Sequence, residues 1–180
     1  MSQPHLIIGV TGGIAAFKTA AMVSKLVQAG RDVTVVMTDA ATEFVGEATF
    51  AALSGRPVAR TVFDAAYPLG AHIELARKGS VFCIAPATAD FMGKAANGLA
   101  DDLLSTLYLC FTGSVLIAPA MNSEMWEKAA VQRNVAQLRA DGVRIIDPEE
   151  GWLSCRVRGS GRMAAPEKII EAINAAISSK

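Results

Sequence analysis

Short β-branched runs, each stopped by a turn and followed by a stretch of helical composition, recur along this chain, and that alternation leaves few folds open. Residues 6–10 stop at Thr11-Gly12-Gly13, after which residues 14–29 have helical composition up to Gly30. DVTVVM at Asp32–Met37 repeats the strand signal, residues 80–85 and 115–118 add two more, and residues 143–146 add a shorter one. Strands alternating with helices build βαβ units, because each helical crossover returns the chain in the same direction. The expected architecture is therefore α/β, a Rossmann-like or flavodoxin-like parallel sheet sandwiched between helices. A length of 180 residues buries one substantial core and is too short for two ordinary ones, so residues 1–180 are read as a single domain. In such sheets ligands collect beyond the carboxyl ends of the strands, where Thr11-Gly12-Gly13, Thr38, residues 86–90 and residues 119–122 all fall. The last helix, residues 166–177, opens with proline and carries Ile169, Ile170, Ile173 and Ile177 at helical spacing, a packing pattern.

Composition narrows the partner. Lys+Arg 17 balances Asp+Glu 17, so no global field attracts nucleic acid or an acidic membrane, and a small-molecule partner is expected. MSQPHLIIGV lacks a basic segment leading into a long apolar run, and no later run reaches the ~18 apolar residues of a membrane span. The chain reads as soluble and cytoplasmic. Its three cysteines are an odd number without metal-type spacing, which suits reduced thiols and predicts no metal. Cys83 in VFCIA and Cys110 in LLSTLYLCF read as small buried hydrophobes, whereas Cys155 sits in the polar, basic SCRVRGSGR.

The first loop, GVTGGIAAFKT, leads a glycine turn into a helix whose unsatisfied N–H groups and dipole suit a phosphate. It is not a P-loop, because Phe17 precedes Lys18 where glycine is required, and its Gly9, Gly12 and Gly13 do not make G-x-G-x-x-G. That weakens an ATP or NAD reading. Phosphate binding at Gly12 and Gly13 stands beside a plain packing turn, and Thr38 either adds a hydroxyl to the same phosphate or caps a helix.

Two later segments are more specific. APATADFMGKAANGLADDLLST (residues 85–106) contains Pro86-Ala87-Thr88-Ala89-Asp90-Phe91, and APAMNSEMW (residues 118–126) contains Pro119, Met121, Asn122, Met125 and Trp126. The first resembles the PASANT motif and the second matches the P-x-M-N-x-x-M-W motif of the flavin-dependent cysteine decarboxylase family. GVTGGIAAFK resembles that family's opening, and GSGRM (residues 159–163) resembles the end of its substrate flap. Thr88-Ala89-Asp90 is similar to the branch that makes coenzyme A precursors, whereas the peptide-modifying branch has Ser-Ala-Asn.

The resemblance implies FMN as cofactor and decarboxylation of 4′-phosphopantothenoylcysteine to 4′-phosphopantetheine. The carbanion left by CO2 needs an electron sink, and flavin oxidation of the substrate thiol creates one. It implies His72, in GAHIELA, as the catalytic base, Asn122 as the holder of the substrate carboxylate, and Cys155 as the proton donor of the reductive half. The resemblance also implies Met121 beside the substrate, although Met121, Met125 and Trp126 read equally as packing around the flavin or at an interface, and Arg156 and Arg158 either stabilise the Cys155 thiolate or bind the substrate phosphate. Gly12, Gly13, Thr38, Pro86, Thr88, Ala89, Ser105 and Thr106 are the candidates for FMN, the hydroxyls alternatively bracing helices. Asp101 and Asp102 read as helix caps. The flap departs from the family's Ala-Cys-Gly-Asp, having Ser154-Cys155-Arg156-Val157-Arg158 instead. Two other readings stay open: decarboxylation of a peptidyl cysteine or another thiol acid, and a flavin-binding regulatory subunit. The resemblance also implies a homotrimer or a dodecamer of trimers with FMN at the subunit contact.

Overall fold

A computed structural model describes residues 4–179. Its central sheet holds β1 (His5–Val10), β2 (Asp32–Met37), β3 (Val81–Ala87), β4 (Ser114–Pro119) and β5 (Arg144–Ile145) in the order β2-β1-β3-β4-β5. All four pairings are parallel. This order is the flavodoxin-like one, with the chain reversing its direction of travel between β1 and β3, and ligands gather at that switch point.

The strands are apolar on both faces because both faces are covered. Leu6, Ile8 and Val10 of β1 join a core with α1 (Ala16–Gln28), α3 (Glu47–Ser54) and α9 (Pro166–Ser178). Ile7, Phe82 and Ile84 point the other way, into a second core with α4 (Ala71–Lys78), α5 (Ala89–Asn97), α6 (Leu103–Cys110) and α8 (Ala129–Ala140). Gly9 is needed for that second layer, since a Cβ there would meet Leu104 Cδ1 at 2.7 Å. Two short helices, α2 (Asp39–Thr42) and α7 (Ser123–Trp126), start directly at the carboxyl ends of β2 and just past β4. Residues 149–162 form an antiparallel hairpin, β6 (Glu149–Trp152) and β7 (Arg158–Arg162), outside the main sheet.

The sequence reading locates β2 to the residue and is off elsewhere. The strand expected at residues 143–146 shrinks to Arg144–Ile145, and the first helix begins at Ala16 rather than residue 14. Cys83 is buried as expected, and burial pushes its thiol up to about 12, so it is inert. Cys110 is exposed, against expectation. α6 ends at Cys110, and Phe111 just beyond it takes the core position, meeting Phe82 edge-on with ring centroids 5.5 Å apart. No helix among the described residues is long and apolar enough to cross a membrane.

Candidate cofactor and substrate site

The ladder between β3 and β4 shifts register between Ile84 and Ala87, which frees carbonyl groups at the carboxyl end of β3. Two buried threonines satisfy them. Thr19 Oγ1 on α1 donates to the Ala85 carbonyl at 2.7 Å, and Thr11 Oγ1 donates to the Pro86 carbonyl at 2.7 Å. Thr11 Oγ1 in turn accepts from the Thr88 N–H at 3.0 Å, and Thr88 caps α5 by accepting from the Phe91 N–H at 3.3 Å. The glycine turn is thereby tied to β3 and α5. Gly12 has no room for a side chain, since its Cβ would lie 2.5 Å from that of Ala40 on α2. Gly13 faces Pro86 Cγ and Thr88 Cγ2 at 3.8 and 3.9 Å. Among the described residues, the N–H groups of Gly12, Ile14 and Ala15 meet no acceptor, so the entry to α1 presents unused donors.

The opposite wall comes from the turn after β4. Asn122 caps α7, its Oδ1 accepting from the Met125 N–H at 2.8 Å. That bond fixes which end of the amide is oxygen, and leaves the Nδ2 protons without an acceptor among the described residues. One amide thus caps α7 through its oxygen and keeps a donor at its other end. The hairpin is docked on the same turn. Met121 N–H donates to the Gly161 carbonyl at 3.0 Å, and Ser123 Oγ to the Ser160 carbonyl at 2.8 Å. Gly161 has φ +103° and its Cβ would sit 2.4 Å from the Met121 oxygen, while a Cβ at Gly159 would sit 2.2 Å from Ser123 Oγ. The glycines of GSGRM are the docking surface.

Between these walls lies a cavity of about 570 Å3, the size of a cofactor site. Gly12, Gly13, Thr88, Ala89, Met121 and Asn122 line it together, joined by residues the sequence reading did not single out for the site, notably Ile14, Phe17, Lys18, Trp152 and Arg162. Ile14, Phe17 and Trp152 are 51%, 58% and 63% exposed, a concave apolar surface of the kind that a ligand or a second chain covers. Lys18 is held below its ordinary pKa, first by burial and then by the like charge of Arg162, with Glu149 opposing. A larger, open depression of about 880 Å3 at the amino end of β4, beside Tyr108, Asp141 and Arg144, is lined by none of the candidate site residues.

The remaining candidates lie elsewhere. Pro86 sits under the glycine turn, and Thr38 starts α2 without capping it, its Oγ1 buried and unpartnered. Ser105 and Thr106 spend their hydroxyls inside α6, donating to the Asp102 carboxylate at 2.7 Å and the Asp102 carbonyl at 2.6 Å. Asp102 is the expected cap, in a reciprocal box with Ser105. His72 is on α4, across the sheet from α1, with Nδ1 buried and unpartnered. Cys155, Arg156 and Arg158 are exposed at or beside the hairpin tip, and none of the three lines the cavity. Arg156 has φ +65°, where the family pattern places glycine.

A cleft at the strand-order switch point, with unused backbone donors on one wall and a fixed amide on the other, marks a ligand-binding protein of the doubly wound α/β class. The chain belongs to the flavoprotein family, whose profile, described as "Flavoprotein", matches residues 1–178. It is 44% identical over 172 residues to the coenzyme A biosynthesis bifunctional protein CoaBC of Bacillus subtilis, covering 95% of this chain and 42% of that protein. The CoaBC protein of Haemophilus influenzae is 41% identical over 181 residues, covering 100% and 45%. The chain thus spans less than half the length of the curated relatives it matches. Among solved structures, the FMN-dependent cysteine decarboxylase SpaF is 35% identical with a TM-score of 0.86, covering 97% of this chain and 98% of that one. A PPC decarboxylase mutant complexed with pantothenoylaminoethenethiol is 26% identical with a TM-score of 0.88, at the same coverage.

Proposed function

We propose that this chain holds FMN and decarboxylates 4′-phosphopantothenoylcysteine to 4′-phosphopantetheine. The carrying observation is the Asn122 amide, oriented by its cap bond so that a neutral N–H2 is offered in an apolar cavity beside a glycine turn at the switch point. A carboxylate needs a donor to be held, and a neutral donor holds it without opposing loss of CO2 as a cation would.

The residues present fit FMN. The orphaned Thr38 hydroxyl and the free N–H groups of Gly12, Ile14 and Ala15 are donors in search of an anion, and Ile14, Ala89 and Met121 offer apolar surface for a flat ring. Gly13, Pro86 and Thr88 close the turn beneath it. When bound, FMN supplies a two-electron acceptor for a thiol and returns the pair after CO2 has left. The chain's own residues bind and move protons around that exchange. Asn122 orients the carboxylate, with Met121 beside it. His72 takes the thiol proton; because it lies across the sheet, it serves the cavity of a neighbouring copy in a homotrimer. Cys155 returns a proton when the hairpin tip folds over the cavity. Ser105 and Thr106 support the site through α6 rather than by touching the cofactor.

A visible absorption spectrum of the purified protein, recorded before and after adding 4′-phosphopantothenoylcysteine, tests this. Flavin bands that bleach and recover, with CO2 released in step, are the expected result. A folded protein that holds no flavin even in excess FMN sinks the reading. The exposed tip with Arg156 in place of glycine favours one second reading, a different thiol acid such as a peptide C-terminal cysteine, and side-by-side turnover of the two substrates decides between them.

A further inference from the structure

The cavity contains two cations, Lys18 and Arg162, for which the described residues supply no ion pair. Lys18, on the cavity-facing side of α1, and Arg162, at the end of β7, both line it, although they are 144 positions apart in the sequence. Among the described residues the one hydrogen bond Lys18 makes through its ammonium is long, Nζ donating to the Met163 carbonyl at 3.5 Å. Among the described residues Arg162 makes no ion pair and no side-chain hydrogen bond. Glu149 acts on Lys18 electrostatically but is shared: its Oε1 accepts from the Ala165 N–H at 3.3 Å and lies 3.9 Å from Lys168 Nζ.

The arginine is exposed, but its stem packs across the hairpin. An added Cβ at Gly151 would meet Arg162 Cδ and Nη1, each at 2.7 Å, so the guanidinium stem lies flat across a strand position that only glycine leaves open. Gly151 is buried, and its absent side chain is the space the arginine occupies. Arg162 is exposed and Lys18 half-buried, so water screens part of the repulsion between them, and an anion joining the two would remove the rest. Burial and the neighbouring guanidinium already lower the affinity of Lys18 for its proton, which an incoming dianion would restore.

Resting on the substrate reading above, we propose that Lys18 and Arg162 form the specificity site for the substrate's 4′-phosphate, a phosphate monoester at the far end of the thiol acid. The glycine turn and Thr38 offer a separate set of donors for the cofactor's phosphate. Arg162 belongs to the hairpin that also carries Cys155, so the pair is assembled by the element that covers the substrate. Arg156 and Arg158, the arginines singled out in the sequence, stand outside the cavity and do not supply this contact.

The test uses the FMN-loaded protein and two unreactive ligands, pantothenate and 4′-phosphopantothenate, titrated by calorimetry at low and high salt. The phosphorylated ligand is expected to bind roughly tenfold to hundredfold more tightly, with the ratio shrinking as salt rises. Lys18→Met and Arg162→Met each bring its affinity toward that of pantothenate. Gly151→Ala lowers the ratio without removing any charge, and Arg77→Met, which removes a charge on α4, leaves it standing. A wild-type ratio near one, or a ratio that survives both Lys18→Met and Arg162→Met, overturns the proposal. So does a selective loss of FMN over riboflavin in those two variants, which would give the pair to the cofactor's phosphate. If the ratio behaves as expected and yet no CO2 leaves 4′-phosphopantothenoylcysteine, the decarboxylase reading fails and the phosphate site stands.

Discussion

The two sides of the cavity are built in opposite ways. On the glycine-turn side, Thr11 and Thr19 are 2% and 0% exposed and bind carbonyls of β3 directly, so the backbone donors at the start of α1 are set before any ligand arrives. On the hairpin side, only the base is fixed, by Gly159 and Gly161 against residues 121–123, while residues 154–158 are all exposed. Two antiparallel strands alone are marginal in water, so the tip depends on its docking and on whatever lies beneath it. A binding floor works by being rigid, since donors already aimed cost no reordering. A cover must admit substrate and therefore cannot be equally fixed.

The largest effect is expected where the two sides meet. Asn122→Asp keeps the cap of α7, because aspartate caps as well as asparagine, but replaces the amide donor with a charge that repels a carboxylate. Decarboxylation should fall roughly 10²–10³-fold while stability stays within about 0.5 kcal/mol. Turnover kinetics beside a thermal melt would check it, and a near-wild-type rate would remove Asn122 from the chemistry. On the rigid side, Thr19→Val keeps the shape and leaves the Ala85 carbonyl unsatisfied, a loss of about 1–3 kcal/mol, each kcal/mol lowering Tm by about 2–4 °C in a chain of this size. On the hairpin side the sign reverses. Arg156→Gly relieves a left-handed backbone worth ~1–2 kcal/mol against glycine's added entropy of ~0.5–1, for a net gain of about 0.5–1 kcal/mol. Equal and opposite-to-expected shifts in these two melts would show that the contrast is false.

The smallest effect supplies a control away from both. At the amino edge of the sheet, burial would raise the Asp32 carboxyl, but hydrogen bonds from His5 at 2.9 Å and Arg56 at 2.7 Å overcome it and hold it below 3.8. A carboxylate with a depressed folded-state pKa contributes stability that is present above its unfolded value and is lost as pH falls through its folded one. Melting should therefore weaken below pH 3.8 in the native protein and less so in Asp32→Asn, with the difference small because the pair is partly exposed. An acid-induced loss that is identical in Asp32→Asn would place the sensitive group elsewhere.

What could be read ahead of the structure follows the range of the interactions involved. β2, the turn at Gly12, the cap at Asp102 and the P-x-M-N turn are local, set by residues within a few positions of one another. Cys110 was misread because helical spacing does not announce where a helix stops, and Phe111 outcompetes it for the core. Thr19 looked like an ordinary helix residue, since its partner carbonyl at Ala85 is freed only by a register shift in a strand 66 positions away. Lys18 and Arg162 drew notice only for the motifs they miss or end.

By itself the order of residues determined the alternation of strands and helices, and with it the carboxyl-end loops where binding groups had to appear, because propensity, periodicity and turn chemistry act over a handful of neighbours. The tertiary structure alone decided which of those groups share a cavity: it put Asn122, the glycine turn, Lys18 and Arg162 on one lining, and kept His72 and Cys155 off it. Proximity across a sheet depends on strand order and on how a hairpin docks, and these come from the packing of the whole core rather than from any one segment.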